Sequence, residues 1–201
     1  MRFFRKLFKP LINRYKGYYG ERQVKKELKP FIDFSYHKLI NGIRLLGNDG
    51  KTFEIDHIDI RRNGIFCIET KNYIGRIYGN EKQEKWVQCL NNNEKNYFYN
   101  PLWQNNSHIK QLKKELNYGY EIYSVVVFVK NNAHKTRIEN VVNFDELKQY
   151  LKGFNGGKKL YSKGEVKEIY NVLKQASDND IISKKDHIKN VKKRKKKYNY
   201  K

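Results

Sequence analysis

The chain has 201 residues, which is room for one ordinary α/β domain with tails but not for two. Its 14% aromatic content excludes a wholly disordered protein. The formal charge of +22 is uneven: residues 1–16 carry +6, residues 184–201 carry +9, and the rest carries +7. A polyanion is the expected partner, with nucleic acid first and an anionic membrane surface second. Basic tails that only aid solubility are the alternative.

The sequence favours a reduced, cytoplasmic setting. Two cysteines, Cys67 and Cys89, do not make a disulfide framework, and no Cys/His cluster has zinc spacing. The first residues are basic and amphipathic, but Lys and Pro interrupt them before any apolar stretch reaches the length of a signal peptide. No segment approaches the roughly 20 apolar residues of a membrane span.

The N-terminal part of the chain predicts two helical pieces. Residues 1–16 form a short basic amphipathic helix, broken or kinked at Pro10, that could lie on the domain, on nucleic acid or on lipid. Residues 17–29 then predict a second helix, which Pro30 stops.

A run of extended segments follows. Residues 35–46 predict short β pieces with a turn at Asn41-Gly42, and Asn48-Asp49-Gly50 predicts a hairpin into a strand over 52–60. A turn at 62–64 leads into a strand over 65–71, and a short extended piece surrounds residues 76–78.

The second half mixes helices with one buried strand. Residues 80–100 predict a loop, anchored by Trp86 and Val87, with room for one more strand. The remaining predictions are a helix over 101–116, a doubly covered strand over 123–130, helices over 144–151 and 164–173, and a tail that is disordered in isolation after Ser177. The element order is that of a mixed α/β fold.

One segment, EIDHIDIRRNGIFCIETK, places charged residues on otherwise apolar strands. Alternate side chains of a strand share a face, so Glu69 and Lys71 point to one side and Thr70 to the other. Asp56 lies on the preceding strand, and the turn at 62–64 can bring it to the same spot. An ordinary exposed pair is the alternative, because D…ExK is a weak pattern by itself.

Hydrolysis of a phosphodiester needs these residue types. Carboxylate oxygens hold Mg²⁺, which lowers the pKa of a bound water and neutralises charge during in-line displacement. A nearby lysine can orient the attacking water or stabilise developing negative charge.

The wider sequence resembles the nuclease-related domain (NERD) family, a branch of the PD-(D/E)xK nuclease superfamily. The matching pieces occur in the family's order from residue 17 to about residue 130: GERQVKKEL, EIDHIDI, NGIFCIETKNYIGRIYG, NPLWQNNSHIKQLKKEL and SVVVF. The resemblance implies a restriction-endonuclease-like core, a mixed central β-sheet flanked by helices, with basic extensions at both ends. In this division residues 17–130 are the nuclease-like core, 131–177 complete the same domain, and 178–201 are the basic tail.

The resemblance also implies roles for particular residues. Asp56 and Glu69 would be ligands of Mg²⁺ or Mn²⁺, with the main-chain carbonyl of Thr70 as a third. Lys71 would be the catalytic lysine, and Glu21 matches a glutamate that the superfamily often places beside the metal. Gln104 matches the glutamine of the NPxxQ segment, for which a substrate-facing or supporting role is the hypothesis. The implied activity is metal-dependent cleavage of nucleic acid, DNA more than RNA.

Several other residues have ordinary structural interpretations. Packing is expected for His57 and Cys67, a structural role on the opposite strand face for Asp59, and core positions for the tryptophans Trp86 and Trp103, although both could stack on bases. His108 shares a helix face with Gln104 and could approach phosphate, or it could be an exposed histidine.

Two alternatives stay open. One is a nucleic-acid-binding module of the same fold with little activity, since binding needs the basic tails and not the carboxylates. The other is peripheral membrane attachment through residues 1–16. The cations expected to contact nucleic acid are Lys192, Lys193, Arg194, Lys195, Lys196 and Lys197.

Overall fold

The computed structural model describes residues 2–29, 36–46, 52–91, 94–155 and 160–179, with the side chains of residues 15–177 within those ranges. In chain order its elements are α1 (Arg2–Leu28), β1 (His37–Leu46), β2 (Thr52–Arg61), β3 (Gly64–Lys71), β4 (Arg76–Tyr78), β5 (Lys85–Cys89), β6 (Lys95–Tyr99), α2 (Pro101–Glu115), β7 (Ile122–Phe128), β8 (Val141–Asn143), α3 (Leu147–Gly153) and α4 (Lys163–Asn179).

Five strands make the central sheet, in the order β1-β2-β3-β7-β8. The first three strands are antiparallel hairpin neighbours, while β7 and β8 run parallel to β3. The parallel step from β3 to β7 needs a crossover, and the chain between them contains α2. This mixed sheet flanked by helices confirms the predicted fold class and is consistent with a restriction-endonuclease-like core.

Helices cover both faces of that sheet. Leu112 of α2 and Val166, Ile169 and Leu173 of α4 pack on one face against isoleucines of β1 to β3. On the other face, α1 and α3 pack against Phe66, Ile68 and the valines of β7. Val24 and Leu28 of α1 are fully buried there, one helical turn apart.

A second sheet, β4-β5-β6, corrects the prediction of a loop over residues 80–100. Its inner side chains are Ile77 and Trp86, which join Phe128 and Val141 in a separate part of the core. Trp86 stacks parallel to Phe128, with ring centroids 6.4 Å apart. Buried and exposed positions therefore alternate along these strands, although Val87 lies on the outer face and the polar Gln88 lies on the inner face of β5.

Two predicted interruptions are absent from the described backbone, a break at Pro10 and a turn at Asn41-Gly42. The backbone of α1 is helical from Arg2 through Pro10 to Leu28, so no break separates the two predicted helical pieces. A proline costs an internal helix one hydrogen bond, and here the flanking turns continue past it. Asn41-Gly42 is no turn either, because both residues lie inside β1, where Gly42 takes a φ of 63°.

The remaining boundaries differ by a few residues. β8 was not predicted, and the helix expected over 144–151 begins at Leu147 because residues 144–146 form a turn after β8. Helix α4 runs to Asn179, past the predicted end at residue 173. The turn at 48–50, the glycines at 156–157, the side chains of 1–14 and the tail 180–201 lie outside the described residues. In the part of the chain that is described, no helix is long and apolar enough to cross a membrane.

Candidate active site

The site forms where β2 and β3 separate. Their antiparallel register ends at the pair His57 and Ile68. Asp56 and Glu69 occupy the next position on each strand, just beyond the last paired residues. The backbone N–H of Thr70 donates a hydrogen bond to Asp56 Oδ2 at 2.8 Å. The Asp56 side chain thus takes the place of a strand partner for Thr70.

Glu69 and Lys71 share a strand face, as alternation predicts, and they contact each other. Lys71 Nζ donates to Glu69 Oε1 at 2.5 Å and to Gln104 Oε1 at 3.0 Å. Gln104 lies in the first turn of α2, which begins at Pro101 and has Asn100 as its N-cap. The ammonium group is therefore held between a strand and a helix.

His108 follows Gln104 by one helical turn and reaches the same carboxylate. Its Nδ1 lies 3.7 Å from Glu69 Oε2, and the His108 side chain is buried. Neither atom has a hydrogen-bond partner among the described residues. The predicted alternative of a solvent-exposed histidine is wrong.

The protonation chemistry of the site follows from burial and from crowded negative charge. Burial raises the pKa of Asp56 well above its usual range, and the charges of Glu69 and Glu21 raise it further. The Thr70 N–H and Lys71 act in the opposite direction. Burial alone would lower the pKa of Lys71, but the adjacent Glu69 carboxylate outweighs it and raises that pKa. Burial lowers the pKa of His108, although the charge of Glu69 acts to raise it.

Glu21 reaches this neighbourhood because α1 crosses the end of β3. Asn72, the residue after Lys71, donates from Nδ2 to the carbonyl of Lys16 at 2.7 Å. One turn further along α1, Glu21 is half-buried, and its charge acts on Asp56. The structure thus brings Glu21, Asp56 and Glu69 into one electrostatic cluster, with Lys71 as its cation.

The donor atoms suit a hard divalent cation. Asp56 and Glu69 supply carboxylate oxygens, and Thr70 adds a main-chain carbonyl between them in sequence. Glu69 Oε2 is buried without a partner among the described residues, which is costly unless something else binds it. Within the same ranges, no three His, Cys, Asp or Glu side chains are grouped to hold a metal by themselves. A bound ion would therefore need backbone or water oxygens as well.

The site residues all lie within the part of the chain that matches a known family. The model for the nuclease-related domain matches residues 16–129, which include every residue of the site. The chain belongs to the nuclease-related domain family. This confirms the resemblance drawn from the sequence, and the PD-(D/E)xK superfamily is a reasonable wider grouping.

This nuclease-related domain protein is similar to one curated relative. It is an uncharacterized protein of Bacillus anthracis, 31% identical over 184 residues, which cover 89% of this chain and 84% of the relative. No solved structure matches the chain.

The other residues singled out in the nuclease-related domain divide into packed and exposed ones. His57 is buried with Nδ1 2.8 Å from Asn41 Oδ1, and burial lowers its pKa to about 4. Asp59 is buried on the opposite face and contacts His37 and Arg61. Cys67 is also buried. These interpretations are confirmed.

The two tryptophans differ. Trp86 is fully buried, as predicted for a core residue, but Trp103 is 37% exposed and the core interpretation is wrong for it. Its Nε1 donates to the carbonyl of Glu81 at 2.8 Å, which fixes the ring at the surface. The six basic residues 192–197 lie outside the described residues, so their contact with nucleic acid stays a prediction.

Asn105 is a residue that the sequence did not single out. It is fully buried, and its Nδ2 donates to the carbonyl of Cys67 at 2.8 Å and to Ser124 Oγ at 2.9 Å. It also accepts a hydrogen bond from the Cys67 thiol at 2.9 Å. Asn105 thereby ties α2 to β3 and β7 one residue after Gln104. Its position in the sequence could have indicated this role, because helical spacing places Asn105 between Leu102 and Leu112 on the apolar face of α2.

Proposed function

We propose that this protein is a metal-dependent nuclease that hydrolyses phosphodiester bonds, with DNA as its substrate. Family membership supports a nuclease-related function. The observation that carries the finer proposal is the meeting of Asp56 and Glu69 beside Lys71 where β2 and β3 separate.

Asp56, Glu69 and the Thr70 carbonyl would hold Mg²⁺ or Mn²⁺. When bound, such an ion activates water as a nucleophile and neutralises charge on the scissile phosphate. Glu69 Oε2 supports this assignment, because it is buried without a hydrogen-bond partner among the described residues. Burial and the neighbouring carboxylates also raise the pKa of Asp56, and a cation would stabilise its charged form.

Lys71 acts as a positive charge in this proposal. The Glu69 carboxylate raises its pKa, so the side chain stays protonated at neutral pH and cannot serve as a general base. Its ammonium group is suited to bind a phosphate oxygen and to stabilise the negative charge that develops there. Gln104 fixes the direction of that ammonium group, which makes it a positioning residue.

Glu21 has a supporting role. Its charge adds to the negative potential at Asp56, which favours a divalent ion over a monovalent one. The basic residues 192–197 would bind backbone phosphates without regard to sequence, and this contribution should fade with added salt.

A cleavage assay tests the proposal. Linear, nicked and single-stranded DNA are incubated with Mg²⁺ or Mn²⁺ and the wild type, Asp56→Ala, Lys71→Ala or the control Asp145→Ala, which alters an exposed carboxylate outside the site. We expect the wild type and the control to cleave and both site variants to lose activity. Equal cleavage by all four proteins would contradict the assignment of Asp56 and Lys71 to an active site.

The second candidate is a nucleic-acid-binding module without useful activity, favoured by the charge of +22. Its predictions are opposite to those of a nuclease. Deletion of residues 180–201 would abolish function, while Glu69→Ala would leave it intact.

A further inference from the structure

The outer face of the β4-β5-β6 sheet is both aromatic and basic. Side chains alternate strictly along these strands, and the outward set contains tyrosines and cations. Its exposed members are Arg76, Tyr78, Lys85, Lys95, Tyr97 and Tyr99. None of the three strands carries an acidic residue, although Glu84 and Glu94 stand just before β5 and β6. The described chain leaves this face open to solvent.

The strand register groups the aromatic rings on this face. Tyr78 and Tyr97 flank Val87 in one cross-strand row. Tyr99 follows Tyr97 on the same face, about 6.8 Å further along the strand. The next ring is that of Trp103, whose centroid lies 6.2 Å from that of Tyr99. The exposed fractions are 68% for Tyr97 and 49% for Tyr99, so both rings can accept a partner.

We propose that this face binds single-stranded nucleic acid, with bases stacked on Tyr97, Tyr99 and Trp103 and phosphates near Lys85, Lys95 and Arg76. Aromatic side chains combined with positive charge are the usual means of binding a single strand without sequence preference. The ring spacing is roughly twice the 3.4 Å rise per nucleotide of a duplex strand, which suits splayed bases and not a stacked helix.

A protein partner fits this surface less well. Protein interfaces are enriched in Tyr and Trp, but their cores are depleted in Lys, and two of the three cations are lysines. The aromatic rings here are interleaved with those cations and do not form a continuous apolar patch. Phosphates and bases together satisfy both kinds of side chain.

The face is connected to the candidate active site through the first turn of α2. Trp103 is followed directly by Gln104, which holds Lys71. Tyr73, two residues after Lys71, packs against Phe98 on the inner side of β6, with ring centroids 4.6 Å apart. A strand bound along Tyr97, Tyr99 and Trp103 would thus lie next to the elements that carry the carboxylates. That such a strand is a substrate rests on the proposed nuclease function; that it binds does not.

Binding is measured on the full chain in EDTA, by fluorescence anisotropy of labelled oligothymidylate and of a blunt duplex of equal length, at physiological salt. The test variant is Tyr97→Ala/Tyr99→Ala. The control is Tyr118→Asn, which removes a tyrosine that is 72% exposed after α2; its φ of 57° is one that Asn tolerates. The test positions are solvent-exposed, and unchanged circular dichroism and urea unfolding will show that the variants fold.

We expect the double variant to bind oligothymidylate at least about tenfold more weakly, because two bases lose the aromatic rings on which they stack. Duplex binding should change by less than about twofold, since phosphate contacts dominate it. Oligothymidylate should also quench the fluorescence of exposed Trp103, and Trp103→Phe should remove that quenching. The control should behave as the wild type.

Unchanged binding of oligothymidylate by the double variant would overturn the proposal, and so would equal weakening for both ligands. Self-association that only the double variant loses, with oligothymidylate binding intact, would assign the face to a second copy of the chain. The two proposals fail separately. If Asp56→Ala cleaves DNA like the wild type while the tyrosine variant loses single-strand binding, the nuclease assignment is wrong and the binding face stands.

Discussion

The pair formed by Lys71 and Glu69 gives the sharpest quantitative prediction. The side chains are 14% and 4% exposed, and the charged atoms lie 2.5 Å apart. At an effective dielectric constant of about 20, two unit charges at that distance attract by about 7 kcal/mol before desolvation is subtracted. Lys71→Met keeps the length of the side chain and removes its charge. The Glu69 carboxylate then stays buried without a cation.

We expect Lys71→Met to lower the free energy of unfolding by about 3–5 kcal/mol, the usual cost of removing one partner of a buried ion pair. The measurement is urea denaturation at neutral pH in EDTA, with the exposed Lys167→Met as the matched control. The control should change stability by less than about 0.5 kcal/mol. Glu69→Gln should cost less, because Gln can still accept a hydrogen bond and Lys71 can extend towards solvent.

The double variant Glu69→Gln/Lys71→Met completes a thermodynamic cycle. Its cost should be smaller than the sum of the two single costs, because Lys71→Met no longer leaves a buried charge. A cost for Lys71→Met below about 1 kcal/mol, the range of exposed ion pairs, would refute the reasoning. It would mean that Glu69 is hydrated when Lys71 is absent.

Three further predictions concern Asn105, Gly79 and His57. Asn105→Ala should lower the free energy of unfolding in urea by about 2–4 kcal/mol, since it leaves the Cys67 carbonyl without its amide donor and opens a cavity. An unchanged free energy of unfolding would show that water replaces the amide. Gly79→Ala should cost at least about 1–3 kcal/mol, because the added Cβ would lie 2.2 Å from the Trp86 ring, whereas Gly153→Ala has open space and should cost little. Because burial lowers the pKa of His57 to about 4, the unfolded chain takes up this proton first as the pH drops from about 6.5 towards 4, and the free energy of unfolding should fall by up to about 3 kcal/mol. Urea unfolding at several pH values should show a weaker pH dependence for His57→Gln than for the wild type. An unchanged pH dependence would contradict the assignment.

The strands that carry the site could be predicted because their signals are local. Alternation over TFEIDHIDI and IFCIETK, with the turn at 62–64 between them, indicates a hairpin whose register follows from the turn. That register sets Asp56 opposite Glu69. The separation of the strands beyond His57 is not visible in the sequence, because it depends on how the whole sheet and α1 pack.

The errors have a common physical cause. Asn41-Gly42 has the composition of a turn, but the same residues suit a positive φ inside a strand whose partner comes later in the chain. The strands β5 and β6 were hidden because apolar and polar residues do not alternate cleanly along them. In β5 the polar Gln88 is buried on the inner face, while Val87 lies on the outer face between Tyr78 and Tyr97. Tertiary context decided both cases.

His108 and Asn105 show the same limit within the site. Each is a polar residue on a helix that sequence alone leaves free to face water, and both face β3 instead. Their neighbours are 38 or 39 residues away along the chain. Only the packing of α2 across the sheet determines which polar side chains become part of the site.

The crowding of negative charge at Asp56 is the strongest physical support for the proposed divalent ion. The charges of Glu69 and Glu21 act on Asp56 in one direction, and that of Lys71 acts in the other. Burial lowers the pKa of His108, which therefore adds no charge at neutral pH. Burial and the like charges of Glu69 and Glu21 raise the pKa of Asp56 well above its usual range, because its charged form is both desolvated and repelled. A divalent cation would stabilise the charged form of that carboxylate, and it could bind the Glu69 oxygen that has no hydrogen-bond partner among the described residues.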